Sequence, residues 1–223
     1  LPTALTQRAP SDGAVIAPRD GYGRQTLHVP VSGSNRGKAQ RLIWNDAHQL
    51  SEVRDAQSGE PIARYTYDAS GNRIRKIASG RTTIYLYDTR HRLIAEARQD
   101  GGVERHYLYS DHRVHSLVEQ EGDRRAIYAV HTDWRGLPTQ VLDDEQRVHW
   151  RMQFDPWGRP LTETSTTAVS VLELNLRLAG QYWDAETGLH YNIHRYYDPA
   201  RGVYLSPDPL GAPDGPDRYA YLD

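Results

Sequence analysis

The residues with the clearest capacity for chemistry lie near the C-terminal end of the sequence. Asp198 and Asp208 are two carboxylates in one short stretch, and Arg195 lies just before them. Two carboxylates brought together cannot both ionise easily, so such a pair can act as acid and base in activating water or assisting peptide cleavage. An arginine can hold a carboxylate in place through a bidentate bond. We predict catalytic roles for Asp208, Asp198 and Arg195, with Asp214 as a further candidate.

The same aspartates also have a structural interpretation. Asp198 and Asp208 each precede a proline, and an aspartate can stabilise a turn by accepting hydrogen bonds from nearby backbone N–H groups. Both interpretations stay open at the level of the sequence.

Histidine spacing does not point to a metal. His190 and His194 are four residues apart in a stretch that alternates like a strand, where that spacing corresponds to roughly 13 Å, too far for one ion. We therefore predict no metal site and no cofactor, and expect these histidines at the surface or at a sheet edge. The absence of cysteine also excludes disulfides and thiolate chemistry.

The aromatic residues allow two interpretations. Exposed tyrosine and tryptophan with interleaved arginine could stack on sugars or on single-stranded nucleic acid. The tyrosines recur at equivalent positions, however, which favours cross-strand packing inside a sheet. The formal net charge of −2 gives no electrostatic footprint for nucleic acid, so we expect no nucleic-acid partner.

The composition indicates a thin sheet. The 223 residues are 38% hydrophobic and include 15 Tyr but one Phe, and the mean hydropathy is −0.76. A tyrosine ring can be buried while its hydroxyl keeps a partner, which suits a wall whose core is one side chain deep. No run approaches the ~20 apolar residues of a membrane span. Lysine occurs only at positions 38 and 76, so carboxylates would pair mainly with arginine, which binds them bidentately.

A repeat determines the predicted elements. Aspartates recur at intervals of 20 to 23 residues, at positions 46, 68, 88, 111, 133 and 155. Aromatic residues alternate before most of them, as at Tyr65 and Tyr67 or Tyr85 and Tyr87, which is the period of a strand. The unit is predicted to be a strand, an aspartate-led turn and a second strand, because one hairpin can bury its face only against its neighbours. Residues 42–163 are therefore predicted to form five or six consecutive hairpins of an all-β protein.

The two ends differ from this array. Residues 1–41 are rich in Pro, Gly, Ser and Arg and are expected to form irregular loops or edge strands. Residues 164–223 begin with a Ser/Thr-rich link, followed at 169–176 by a period-two pattern that predicts a strand.

The repeat resembles the tyrosine-aspartate (YD) repeat of the RHS family, which includes bacterial polymorphic toxins, toxin-complex B and C subunits and teneurins. Residues 65–74 (YTYDASGNRI) resemble the repeat, and residues 154–160 (FDPWGRP) resemble the variant that closes the array. Three further stretches resemble the end of the bacterial RHS core: residues 180–192 (GQYWDAETGLHYN), 195–202 (RYYDPARG) and 206–211 (SPDPLG).

The resemblance implies a spiralling sheet that is part of a hollow cocoon, with a C-terminal plug region. It implies a shell that encloses the protein's own C-terminal toxin domain and releases it by autoproteolysis. Asp208 lies in the match to the first Asp-Pro-x-Gly element of the self-cleaving aspartic protease, whereas the second such element, at the cleavage point, is not in this sequence.

The implied partners are the toxin domain and the rest of the shell, with secretion spike or chaperone proteins as further candidates. The implied localisation is that of a bacterial protein made in the cytoplasm and secreted into target cells, by a type VI system or as a toxin complex. The alternative is a cell-surface adhesion or carbohydrate-binding YD-repeat module.

Overall fold

The computed structural model describes residues 17–164, 172–211 and 217–221. These residues form β-strands and one 3₁₀ turn, Leu178–Gly180, and they contain no α-helix. The strands are β1 (Leu27–His28), β2 (Gln40–Trp44), β3 (Leu50–Asp55), β4 (Pro61–Tyr67), β5 (Arg73–Ala78), β6 (Arg81–Tyr87), β7 (Leu93–Arg98), β8 (Val103–Ser110), β9 (Arg113–Glu121), β10 (Arg124–Thr132), β11 (Pro138–Leu142), β12 (Val148–Phe154), β13 (Pro160–Thr164), β14 (Tyr182–Asp184), β15 (Leu189–Asn192), β16 (Arg195–Asp198) and β17 (Val203–Tyr204). The all-β prediction is confirmed.

The strands form two antiparallel sheets. The first contains 13 strands, β1 to β13, each hydrogen-bonded to its neighbours in chain order, and the second contains β14 to β17 in the same serial order. Strands β2 to β13 correspond to six consecutive hairpins, in agreement with the predicted array. The short strand β1 extends this sheet through pairing with β2.

Aspartate turns close most of the hairpins. Asp68 shows the pattern, since its Oδ1 accepts the N–H groups of Ser70 at 2.9 Å and Asn72 at 2.8 Å. The same pair of bonds, to the residues two and four positions later, is made by Asp20, Asp88, Asp133, Asp143 and Asp155.

The spacing alone misassigned two of these turns. Asn45 rather than Asp46 accepts the backbone N–H of Gln49, at 2.9 Å. Asp111 lies with His112 in a two-residue turn between paired strand ends, and its carboxylate binds the His112 ring at 2.8 Å instead of a backbone N–H. A loop of two residues leaves no N–H group four positions along for the aspartate to cap.

Arginines connect neighbouring turns along one end of the sheet. Arg24 and Arg135 each donate Nε to their own turn aspartate, at 2.7 and 2.9 Å. Their Nη1 groups reach the backbone carbonyls of the next turn, at Asn45 (3.1 Å) and Pro156 (3.2 Å). Arg92 repeats this arrangement with Asp88 and the Asp111 carbonyl. A planar guanidinium can make both bonds at once, which a lysine ammonium on a flexible stem does not reproduce.

The repeated tyrosines lie on one face of the large sheet, which we call the tyrosine face. Tyr65, Tyr85 and Tyr107 are buried there. The second tyrosine of each repeat donates its hydroxyl to a carbonyl on the preceding strand, from Tyr67 to Leu50 (2.6 Å), Tyr87 to Arg73 (3.1 Å) and Tyr109 to Leu93 (2.9 Å). The packing interpretation of the tyrosines is confirmed.

A second layer covers this face, which corrects the expectation of a wall one side chain deep. Leu189, Tyr191 and Tyr196 of the small sheet belong to the same buried core as the tyrosine-face residues. The strand expected at 169–176 is also corrected, with residues 169–171 outside the described part. Leu172, Leu174 and Leu176 alternate in burial as predicted, but 172–175 form no strand and Leu176 makes a single bridge to Tyr182. The leucines are buried by packing on the core rather than by strand pairing.

Candidate functional site

The structure brings Asp208 and Arg195 together. Arg195, the first residue of β16, places Nη2 2.8 Å from Asp208 Oδ2, and the two side chains are 17% and 18% exposed. The other carboxylate oxygen, Oδ1, accepts the backbone N–H of Leu210 at 2.8 Å. One oxygen of Asp208 thus stabilises its turn while the other is held by a cation, close enough to solvent for a substrate to reach.

Arg218 fixes the backbone of the same turn. Its Nη2 and Nε groups donate to the carbonyls of Asp208 at 3.3 Å and Gly211 at 3.2 Å. Its own carbonyl accepts the N–H of Asp208 at 2.9 Å. Two arginines therefore define where Asp208 lies, one through the carboxylate and one through the main chain.

Asp198 lies in a different environment. It is 3% exposed at the end of β16, and its Oδ1 accepts the N–H of Ala200 at 2.9 Å. Its Oδ2 faces Arg201 Nε at 3.6 Å and His28 Nδ1 at 3.9 Å. Within the described residues no hydrogen bond or ion pair joins Asp198 to Asp208, so the two carboxylates are not seen to act on one proton. Asp214 lies outside the described residues.

His28 was not singled out by the sequence. Its Nε2 is 2.9 Å from the Thr187 carbonyl, and the His28 side chain is buried. Burial lowers the pKa of His28, and the nearby Asp198 charge opposes that shift only in part. The neutral ring therefore joins the edge strand β1 to the turn between β14 and β15.

The most deeply buried charges form an ion pair between the two sheets. Arg73, at the start of β5, binds Asp184 of β14 with two parallel bonds of 2.5 and 3.0 Å, and both side chains are fully buried. The guanidinium also donates to Tyr196 at 2.9 Å. Five tyrosine rings lie around it with centroids 4.5 to 5.9 Å away, those of Tyr65, Tyr85, Tyr182, Tyr191 and Tyr196.

A second cation completes this cluster. Lys76 donates to Asp184 at 2.9 Å and to Glu186 at 3.2 Å. Burial raises the pKa of Asp184, but Arg73 and Lys76 outweigh it and leave the pKa below the usual value. Burial and the Asp184 charge raise the pKa of Glu186. We call Arg73, Lys76, Asp184 and Glu186 the buried clamp; its depth makes it suited to holding the layers together rather than to meeting a substrate.

The repeat contained a signal for the clamp that the sequence analysis missed. Arg73 occupies the position that follows the turn by one residue, which Leu50 and Leu93 occupy in neighbouring repeats. A charged residue where the repeat otherwise has leucine indicates a specific buried partner. Lys76, one of the two lysines, lies three residues further along the same strand.

The histidine expectation is corrected for His190. It is fully buried in β15, with Nδ1 2.7 Å from Gln181 Oε1, and burial together with the Arg177 charge holds its pKa well below the usual value. It is buried because β15 is covered on both faces: Leu189 and Tyr191 pack in the core, and His190, on the opposite face, lies against the Tyr197 ring with centroids 5.9 Å apart. His194 is exposed in the following turn, as expected. The described residues contain no group of three or more potential metal ligands.

Comparison with known proteins identifies the family. The family model of the teneurin YD-shell matches residues 34–212. The chain belongs to the RHS/YD-repeat family. RHS-type toxins are among its relatives: the tRNA nuclease WapA of Bacillus subtilis strain 168 is 34% identical over 184 residues, which cover 80% of this chain and 8% of that protein.

In two further relatives, the match also covers most of this chain but a small part of the relative. The double-stranded DNA deaminase toxin A of Burkholderia cenocepacia strain H111 is 31% identical over 216 residues, covering 85% of this chain and 15% of the toxin. The probable deoxyribonuclease RhsB of Dickeya dadantii strain 3937 is 32% identical over 214 residues, covering 91% of this chain and 14% of the nuclease. The chain thus spans a small part of each of these RHS-family relatives.

Solved structures show the same YD-shell fold. The TcdB2-TccC3 crystal structure superposes with a TM-score of 0.68 at 21% identity, covering 92% of this chain and 11% of that one. The Tc holotoxin pore of Photorhabdus luminescens gives a TM-score of 0.68 at 22% identity, covering 91% and 10%. Together with the family match over residues 34–212, this fold shows that the chain is an RHS shell segment. No helix in its described residues is long and apolar enough to cross a membrane.

Proposed function

We propose that this shell segment encloses a C-terminal toxin domain and that Asp208, held by Arg195, contributes to the autoproteolytic release of that domain. The observation that carries the proposal is the ion pair itself. It places a partly exposed carboxylate at the end of a segment that the buried clamp fixes against the shell wall. The wall would supply the enclosure, and the fixed segment would supply a defined place for cleavage.

The cleavage chemistry needs few groups. Asp208 would accept a proton from water as the water oxygen adds to the scissile carbonyl carbon. As the C–N bond breaks, that proton would pass to the departing amine nitrogen, which leaves one new carboxyl group and one new amine. Arg195 would keep the carboxylate directed at the reacting centre. Asp198 is the second candidate, with a role limited by its burial.

The nuclease and deaminase names of the relatives support a toxin cargo for this chain too. The proposed partners are that toxin domain and the rest of the shell, with a secretion spike or chaperone as further candidates. Delivery as a secreted bacterial toxin, by a type VI system or as a toxin complex, belongs to the same proposal. The repeated tyrosines do not favour the adhesion alternative, because they face the core, whereas Trp134 and Trp157 are exposed.

The test uses the chain extended through a second Asp-Pro-x-Gly-Leu element and a reporter domain. Asp208→Asn keeps the acceptor oxygen for Leu210 but loses the carboxylate, so we expect uncleaved product on a denaturing gel. Asp155→Asn is the matched control, since Asp155 also caps a turn and pairs with an arginine, at 3.1 Å from Arg159. Normal cleavage by the Asp208 variant would show that the release mechanism is assigned to the wrong residue.

A further inference from the structure

The side chain of Tyr204 forms a platform beneath the Arg195 guanidinium. The Arg195 Cζ atom lies 3.6 Å from the centroid of the Tyr204 ring, the shortest such distance among the described cation–ring contacts. Tyr204 lies on β17, which pairs with β16, the strand of Arg195, in the small sheet. Arg195 is thus held between an aromatic face and the Asp208 carboxylate.

The platform is itself immobilised. The Tyr204 hydroxyl accepts a hydrogen bond of 2.6 Å from Asn192 Nδ2, so it is already engaged at its polar end. Its ring packs against Tyr197 and Tyr221, with centroids 5.6 and 5.7 Å away. The backbone N–H of Tyr204 donates to the Tyr219 carbonyl at 2.8 Å. The Tyr204 side chain is therefore held at its hydroxyl, by two neighbouring rings and through its own backbone.

Two arginines contact the Asp208 turn, and they hold different parts of it. Arg218 binds main-chain carbonyls of the Asp208 turn, so it sets the backbone. Among the described residues, Arg195 is the charged group that pairs with the carboxylate. A long arginine side chain that is 17% exposed loses considerable rotamer freedom when held in one geometry, and a cation over a ring contributes favourable energy toward holding it.

We infer that Tyr204 is a positioning residue for release, which acts by fixing Arg195 against the Asp208 carboxylate. This inference rests on the proposed function of Asp208. Tyr204 takes no proton and forms no bond in the reaction. Its contribution is that Arg195 reaches the carboxylate in one orientation, so that the carboxylate oxygen faces the water it activates.

The experiment measures cleavage rates of the extended chain in a double-mutant cycle. Tyr204→Leu removes the ring, and we expect cleavage about tenfold slower. Tyr204→Phe keeps the ring and loses the hydroxyl, with its Asn192 bond and its interaction with Arg195, so it should restore most of the rate if the ring is what holds Arg195. In an Arg195→Ala background, Tyr204→Leu should cause no further loss, because its effect passes through Arg195.

A matched control comes from the wall, where Tyr109, Arg92 and Asp88 repeat the arrangement. The Arg92 Cζ lies 5.0 Å from the Tyr109 ring centroid, and Arg92 pairs with Asp88 at 2.7 Å. Tyr109→Leu removes a comparable contact away from Asp208 and should leave the cleavage rate unchanged. Thermal unfolding of each variant separates loss of rate from loss of folded protein.

The outcomes separate the two claims. If Asp208→Asn cleaves normally, the proposed function fails before Tyr204 is considered. If Asp208→Asn is inactive but the Tyr204→Leu effect persists in full in the Arg195→Ala background, the positioning role is wrong. The same holds if folded Tyr204→Leu cleaves at the normal rate.

Discussion

At the scale of single residues, the buried clamp shows how much this fold depends on matched charges. Arg73 and Asp184 are both inaccessible to solvent and satisfy each other with two bonds. Desolvating two ions is costly, and the pair offsets that cost only with good geometry and further hydrogen bonds. Tyr196 and Lys76 supply such bonds. Removing one member leaves the other charge buried without its counter-ion.

Asp184→Asn is therefore expected to be strongly destabilising. It keeps the shape of the side chain but removes the charge that balances Arg73, so we expect a loss of about 3–5 kcal/mol in the free energy of unfolding. Urea denaturation measures this directly. Glu104→Gln is the matched control, since Glu104 pairs with Arg81 at the surface and such pairs contribute less than about 1 kcal/mol. Equal losses of stability in the two variants would contradict the conclusion that the buried Arg73–Asp184 pair stabilises the fold more than a surface ion pair does.

At the scale of elements, the turn is the unit that sets strand register. A carboxylate that accepts two N–H groups fixes the backbone of the turn, and the flanking strands then pair with Tyr65 opposite Lys76. That register brings Lys76 to the tyrosine face, where it meets Asp184. A local turn residue thereby determines which side chains can reach the second layer.

Substitution of a turn aspartate tests this at an element. Asp68→Ala removes two backbone bonds and one to the Asn72 side chain, so we expect a loss of about 1–2 kcal/mol of stability. Asp46→Ala is the control, because Asp46 is exposed and Asn45 makes the turn bond in its place. That substitution should change stability by no more than about 0.5 kcal/mol. A comparable loss of stability at both positions would show that the position of an aspartate in the repeat, rather than its hydrogen bonds to the backbone, determines the stability of the turn.

At the scale of the whole molecule, the large sheet has open edges. Strands β1 and β13 each pair on one side only within the described residues. An unpaired edge offers backbone N–H and C=O groups to another strand, so it favours association. One face is covered by the second layer, while the other exposes single apolar residues such as Leu108 and Ile127, 47% and 66% exposed. The edges are therefore the places where a further strand can pair.

We expect the isolated chain to associate with itself through these edges. Size-exclusion chromatography should show species larger than 25.4 kDa whose proportion rises with concentration. Leu161→Lys places a charge on β13, where Leu161 is 57% exposed, and should shift the chain toward the monomer. Leu108→Lys, on an interior strand, should not. A stable monomer of the unmodified chain at all concentrations would contradict the expectation.

The sequence by itself determined the repeat, and with it the hairpins and the buried tyrosine face, because alternation and turn chemistry are local properties. It also drew attention to Arg195 and Asp208. It did not determine that Arg73 pairs with Asp184 or that Tyr204 lies beneath Arg195, since these residues meet only through packing of separate strands. Nor did it determine that the thin wall has a second layer. Which residues of 172–211 cover the tyrosine face depends on shape and charge complementarity across the core, and only the tertiary structure decides that.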